Sequence, residues 1–125
     1  MALPPRLDKE LEETRQTIQV EVVEEPETIN LVFRNFPLGT AFNPTNADLL
    51  VRLPRSYPDT GPDMFWTHPE VKLANGQVPQ SSEQFETYVN RQWRRFSWHR
   101  QGWNPSVDNL HGYMEFIRKR LREGK

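Results

Sequence analysis

The alternation of apolar and polar residues along the chain yields most of its elements. Leu7 and Leu11 stand four apart among Glu10, Glu12 and Glu13, which predicts a short helix over 6–16 with one thin apolar stripe. Pro4 and Pro5 precede it, where proline suits a helix start. Thr17-Ile-Gln-Val-Glu-Val-Val23 alternates with period two and reads as a half-buried strand. After a turn at 24–27, Thr28–Phe33 reads as a second strand, antiparallel because the connection is too short for a crossover. A turn-rich stretch over 36–46 leads to a third strand, Asp48–Leu53. The chain from Pro54 to Val78 is irregular and punctuated by proline. Phe85, Tyr88, Val89 and Trp93 recur at helical spacing and predict a helix over Ser82–Arg95. The last element is a helix in which Leu110, Met114, Ile117 and Leu121 form one stripe, with Asp108 as its N-cap. Arg118, Lys119, Arg120 and Arg122 load its last turns, where cations complement the helix dipole.

Composition narrows the function classes. A length of 125 residues predicts one domain spanning 1–125, large enough for a core without metal or disulfide staples. Cysteine is absent, which excludes disulfides, thiolate metal sites and cysteine nucleophiles. Lys plus Arg number 16 against 17 Asp plus Glu, so the basic excess that a nucleic-acid or acidic-membrane binder needs is missing. No run approaches the roughly 18 apolar residues of a membrane span, and Met-Ala-Leu-Pro-Pro-Arg lacks the apolar core of a secretory signal; a cytoplasmic protein is expected. The histidines, His68, His99 and His111, offer no close pair for a metal, and no Gly-rich loop precedes a helix to hold phosphate. No metal and no cofactor is expected.

Three short marks carry a family resemblance. Tyr57-Pro58 with Pro62 forms a proline turn after the third strand, His68-Pro69 follows, and Trp103-Asn104-Pro105 stands before the last helix. Each is weak alone. In this order, with a helix and strands ahead of them, they resemble the ubiquitin-conjugating enzyme superfamily, with its Tyr-Pro turn, His-Pro-Asn tripeptide and Trp-x-Pro. The chain is most similar to the prokaryotic branch called family E, which carries a Ser-x-His stretch ahead of the tryptophan. The resemblance covers essentially the whole chain. It implies an α+β fold: an N-terminal helix, an antiparallel meander sheet, an active-site loop and a C-terminal helix. It also implies a transferase of a bacterial ubiquitin-like conjugation pathway, of antiviral-defence type, whose partners are a ubiquitin-like protein and an adenylating activating enzyme.

Two departures matter. The family's nucleophilic cysteine is missing, and Glu70 stands in the tripeptide's asparagine position. Where the cysteine belongs the chain reads Arg94-Arg-Phe-Ser-Trp-His-Arg100, so Ser97 is the best-placed candidate. A serine hydroxyl is a weak nucleophile until a base takes its proton. His99 lies two residues on, on the same side of an extended stretch, and an ordinary imidazole titrates near pH ~6.5, suited to that task. The product would be an oxyester. Asn104 or loop N–H groups would serve the oxyanion, and His68 would brace the active-site turn, as the tripeptide histidine does in the family. The residues alone leave other readings open: Ser97 as a loop hydroxyl, His99 as a loop brace, and Trp93, Trp98 and Trp103 as core rather than a stacking platform.

Arg91, Arg94, Arg95 and Arg100 form either a dock for a carrier tail or a solvated basic face, partly neutralised by Glu83 and Glu86. Arg94 and Arg95 are the partner-binding candidates there. The first helix is the family's usual docking surface, which makes Arg6 and Lys9, with Arg15, candidates for contact with the activating enzyme. His111 falls inside the last helix, as a surface or partner contact. Two rival readings remain. One is a catalytically inactive relative that binds a ubiquitin-like protein noncovalently. The other is a cysteine-to-serine trapped form of a thioester-forming enzyme.

Overall fold

The computed structural model describes residues 3–125. The fold is α+β: helix α1 (Pro5–Thr14), a six-stranded antiparallel sheet, and helix α2 (Leu110–Arg122). The sheet runs β1 (Val20–Glu24), β2 (Thr28–Pro37), β4 (Asn46–Pro54), β5 (Phe65–His68), β8 (Arg91–Phe96), β7 (Phe85–Tyr88) from edge to edge. A two-stranded patch pairs β3 (Phe42–Asn43) with β6 (Lys72–Leu73).

Each sheet face has its own cluster because side chains alternate along a strand. Ile29, Leu31 and Phe33 of β2, Leu49, Val51 and Leu53 of β4, Phe65 and Phe96 point to the inner side. There they meet Leu7 and Leu11 of α1 and Leu110, Tyr113, Ile117 and Leu121 of α2, so both apolar stripes read from the sequence are buried. Val32, Leu50, Trp66 and Trp93 form a smaller cluster on the outer side. Among the described residues no helix covers that cluster; Tyr88, Val89 and Met64 pack on it, and the Arg52 guanidinium lies 3.7 Å from the Tyr88 ring centroid.

The structure corrects several expectations. Ser82–Arg95 is not a helix. Phe85–Tyr88 and Arg91–Phe96 form a hairpin across Val89 and Asn90, whose φ values of 51° and 58° fit a two-residue type I′ turn. The apolar spacing favours a helix, and the open edge of β5 overrides it: β8 pairs there with Phe65 opposite Phe96 and Trp66 opposite Arg95. As a strand, Trp93 and Phe96 enter opposite clusters, which one helical stripe does not allow. Three smaller corrections follow. The first strand starts at Val20, since Thr17 and Ile18 close a turn on the Thr14 carbonyl. The second runs through a bulge to Pro37. The stretch from Pro54 to Val78 contains β5 and β6. Asp108 is not the N-cap of α2. Asn109 is, with extended backbone and a side chain that accepts from Gly112 N at 2.7 Å.

Candidate functional site

The site residues read from the sequence divide between the two ends of the β5–β8 pair. His68 closes β5, with its Nδ1 2.9 Å from the Gln92 carbonyl and its ring 5.6 Å from that of Trp93. Ser97 follows β8 at the other end, beyond the Phe65–Phe96 pair. Antiparallel register thus separates the two residues by about four steps, or ~13 Å, and His68 and Ser97 do not come together. Glu70, beside the His68 end, accepts from Arg94 Nη2 at 2.6 Å. Arg94 is itself only 3% exposed, donates to the Ser82 carbonyl and stacks 4.5 Å from the Phe85 ring centroid. The structure therefore takes Arg94 out of the surface cluster in which the sequence places it. Arg91 is engaged with Asp48 at 2.8 Å, Arg95 with Glu86 at 3.3 Å and Arg100 with Asp108 at 2.7 Å, so the four arginines bind the fold together.

Around Ser97 the chain is pinned from several sides. Its N–H donates to the Ser81 carbonyl at 2.9 Å, and the next residue, Trp98, is buried with its indole N–H on the Gln80 carbonyl at 2.8 Å. Ser97 Oγ accepts from Arg95 Nε at 3.0 Å. Because one lone pair receives that bond, the hydroxyl proton is free to point at another acceptor. His99 is exposed, and its Nδ1 lies 2.9 Å from both carboxylate oxygens of Asp63. A carboxylate facing Nδ1 selects the tautomer protonated there and leaves the Nε2 lone pair available as a base. Each of the two side chains takes its own partner, Arg95 for Ser97 and Asp63 for His99.

Asp63 had no signal in the sequence, since it lies 36 residues from His99 inside a turn. The turn is held from below. The Tyr113 hydroxyl donates to the Met64 carbonyl, and burial, reinforced by the Asp63 charge, pushes the Tyr113 phenol well above its ordinary pKa. Trp103 closes the other side, with its indole N–H on the Pro58 carbonyl at 2.9 Å and its ring 5.9 Å from that of Tyr57. Gly61 is required beneath it: a Cβ there would sit 2.2 Å from Trp103 Cδ2. Asn104 turns on itself. Its backbone N–H donates to Asp108 Oδ2 at 2.7 Å and its Oδ1 accepts from Ser106 N at 3.0 Å. Asp108 thus holds the loop, between Asn104 and Arg100, instead of capping α2.

α1 is fastened to the same loop. Arg6 donates from Nη1 to the Pro105 carbonyl at 2.7 Å and from Nη2 to the Asp108 carbonyl. Glu10 accepts from the Tyr57 hydroxyl at 2.6 Å and from Leu110 N at 2.7 Å, a clasp that the sequence shows only as one glutamate on a polar helix face. Lys9 is exposed on α1, and Arg15 reaches the Val20 carbonyl. A groove of about 430 Å³ lies between the two helices, lined by Arg6, Glu10, Ile18, Phe33, His111 and Arg118; Ser97 and His99 are not part of it. Among the described residues no group of three His, Asp or Glu side chains is placed to hold a metal ion, and no helix is long and apolar enough to cross a membrane.

The family model of prokaryotic E2 family E matches residues 3–124, and the chain belongs to that family. Comparison with curated proteins and with solved structures found no match. Membership of an E2 family points to ubiquitin-like conjugation: a transferase activity that stands between an activating enzyme and a target and handles a ubiquitin-like protein.

Proposed function

We propose that the chain accepts the C-terminus of a ubiquitin-like protein on Ser97 as an oxyester and passes it to a target amine or hydroxyl. The pathway would be bacterial and of the antiviral-defence type that the resemblance implies. The observation that carries the reading is the Asp63 carboxylate on His99 Nδ1, two residues from the only hydroxyl in the segment where the family keeps its nucleophile. In this reading Ser97 Oγ attacks the acyl carbon of the carrier's C-terminal thioester on the activating enzyme. The new C–O bond forms, the C–S bond breaks, and the serine proton passes through His99 Nε2 to the leaving thiolate. The Arg95 guanidinium, already bonded to Oγ, supplies positive charge beside the developing alkoxide.

Other residues take supporting parts. Asn104, whose Oδ1 is occupied by Ser106, keeps its Nδ2 donors for the oxyanion. His68 braces β8 through Gln92 and Trp93 and acts at a distance from the reacting atoms. Lys9, exposed on α1, is the contact for the activating enzyme, with Arg6 holding α1 in position beside it.

An ATP-dependent charging reaction with the pathway's activating enzyme and ubiquitin-like protein tests this on a denaturing gel. The expected adduct disappears in Ser97→Ala, forms slowly in His99→Ala, and is cleaved by mild hydroxide but not by thiol. An adduct that persists in Ser97→Ala sinks the assignment. One observation favours a second reading: Ser97 is only half-exposed and its Oγ is already engaged by Arg95. A noncovalent carrier-binding protein would give binding without any adduct in all variants.

A further inference from the structure

The two edges of the sheet are built differently. β1 carries Glu21 and Glu24, paired with Arg34 at 3.5 Å and Arg55 at 2.7 Å, and runs on into Glu25, held by Arg52 at 3.2 Å, and Glu27, so this edge is lined by ion pairs with charged side chains. β7, at the opposite edge, reads Phe-Glu-Thr-Tyr, and its one carboxylate, Glu86, is occupied by the Trp66 indole at 2.9 Å and by Arg95. Phe85 is 40% exposed, one of three large apolar side chains left so open among the described residues. No proline, lysine or bulge blocks this edge.

Which backbone groups of β7 are free follows from the hairpin. Tyr88 and Arg91 flank a two-residue turn and exchange hydrogen bonds, so Glu86 and Gln84 also face β8, as the bond from Arg95 N to the Gln84 carbonyl at 2.9 Å shows. Phe85 and Thr87 alternate with them. Their N–H and C=O groups point away from β8, and among the described residues no strand lies beyond. The polarity of this edge is defined as well. β7 starts at the Ser97 end of the sheet, where Ser81 O holds Ser97 N, and runs away from it toward Val89. A chain that pairs antiparallel with β7 therefore travels toward Ser97 and ends there.

We infer that the free edge of β7 is the docking strand for the C-terminal tail of the ubiquitin-like carrier, which adds as an antiparallel seventh strand through Phe85 and Thr87. This rests on the Ser97 reading for its direction. The occupant is an extended peptide that delivers a C-terminal acyl group, because only such a strand gains from a free edge whose polarity leads into a nucleophile. From the residue opposite Thr87 to the level of Ser97 is five steps along β8, and the incoming strand lies two strand spacings from β8. The tail thus needs about six extended residues, or ~20 Å, to bring its end to the hydroxyl. Phe85 supplies apolar contact for one of its side chains, and main-chain bonds supply the rest.

The test uses the full chain, labelled with ¹⁵N, and a synthetic eight-residue peptide that copies the C-terminus of the pathway's ubiquitin-like protein. Binding should shift the amides of Phe85 and Thr87 and slow their exchange with solvent. Thr87→Pro removes the outward N–H without touching the bonds to β8, an edge position of the kind at which proline is tolerated. It should weaken the peptide about five- to tenfold, the worth of one hydrogen bond, while Thr87→Ala binds as the parent does. Peptide binding that leaves β7 unshifted, or that Thr87→Pro leaves unchanged, overturns the inference. So does concentration-dependent dimerisation that protects the same amides without peptide. Ser97→Ala separates the two proposals: it should keep the β7 shifts while losing the covalent adduct. Shifts at β7 with no adduct in the parent chain would refute Ser97 chemistry alone.

Discussion

Replacing Glu10 by alanine tests the clasp that joins α1, the Tyr57 turn and the start of α2. The carboxylate takes the Tyr57 hydroxyl at 2.6 Å on one oxygen and Leu110 N at 2.7 Å on the other. Both donor residues are buried, Tyr57 2% exposed and Leu110 fully enclosed, so water does not readily replace the lost acceptor. An orphaned buried donor costs about 1–3 kcal/mol, which puts the loss for two near ~3 kcal/mol. For a chain of this size each kcal/mol moves the midpoint by about 4 °C, so Glu10→Ala should melt ~12 °C below the parent in a calorimetric or circular-dichroism scan. Glu10→Gln keeps one acceptor and turns an amide N–H toward the other donor, so about half the loss is expected. Glu12→Ala, on the exposed face of α1, is the control and should stay within about 0.5 kcal/mol of the parent. In a Tyr57→Phe background the Glu10→Ala loss should shrink by ~1–2 kcal/mol, because no hydroxyl is left to orphan. A Glu10→Ala protein that melts within about 2 °C of the parent would refute the reasoning.

Three further outcomes follow from the geometry. Gly61→Ala should destabilise the chain by about 1–3 kcal/mol in urea titrations, since the new methyl displaces the Trp103 ring and strains its bond to Pro58; an unchanged midpoint would show that the ring moves freely. Asp63→Asn should slow adduct formation at Ser97 by roughly tenfold or more while leaving the melting midpoint nearly unchanged, because its carboxylate is 54% exposed and its hydrogen-bond partner is the exposed His99 ring; equal charging rates would remove Asp63 from the mechanism. Burial pushes the Asp48 carboxyl up, but hydrogen bonds from Arg91 and the Asn35 N–H, with the charges of Arg34 and Arg91, outweigh it and hold its pKa below the ordinary value. The unfolded chain then binds the proton more readily. Asp48's contribution is therefore complete above the ordinary carboxylate pKa of about 3.9 and is lost as pH falls through the depressed folded value. Acid-unfolding curves of Asp48→Asn should be flatter over that window.

What the sequence determined by itself is the part of the fold written in local periods. Leu7 with Leu11 and the stripe Leu110, Met114, Ile117, Leu121 gave the helices, since residues four apart share a helix face whatever lies opposite. The alternation in 17–23, with the apolar stretches 28–33 and 48–53 that follow it, gave three neighbouring strands, though the first begins only at Val20. The three short motifs gave the family, because they are read in order along the chain and need no contacts. The tertiary structure decided what depends on an edge or on a distant partner. Phe85–Phe96 carries helical spacing, and the vacant side of β5 makes it a hairpin. Arg94 reads as one of four surface cations, and only the Glu70 carboxylate and the Ser82 carbonyl draw it inside. Asp63 and Glu10 gain their roles across 36 and 100 residues of chain, toward His99 and Leu110 respectively. A side chain's period is a property of its own segment, whereas a buried donor's need for an acceptor is met by whichever residue the completed fold brings near it.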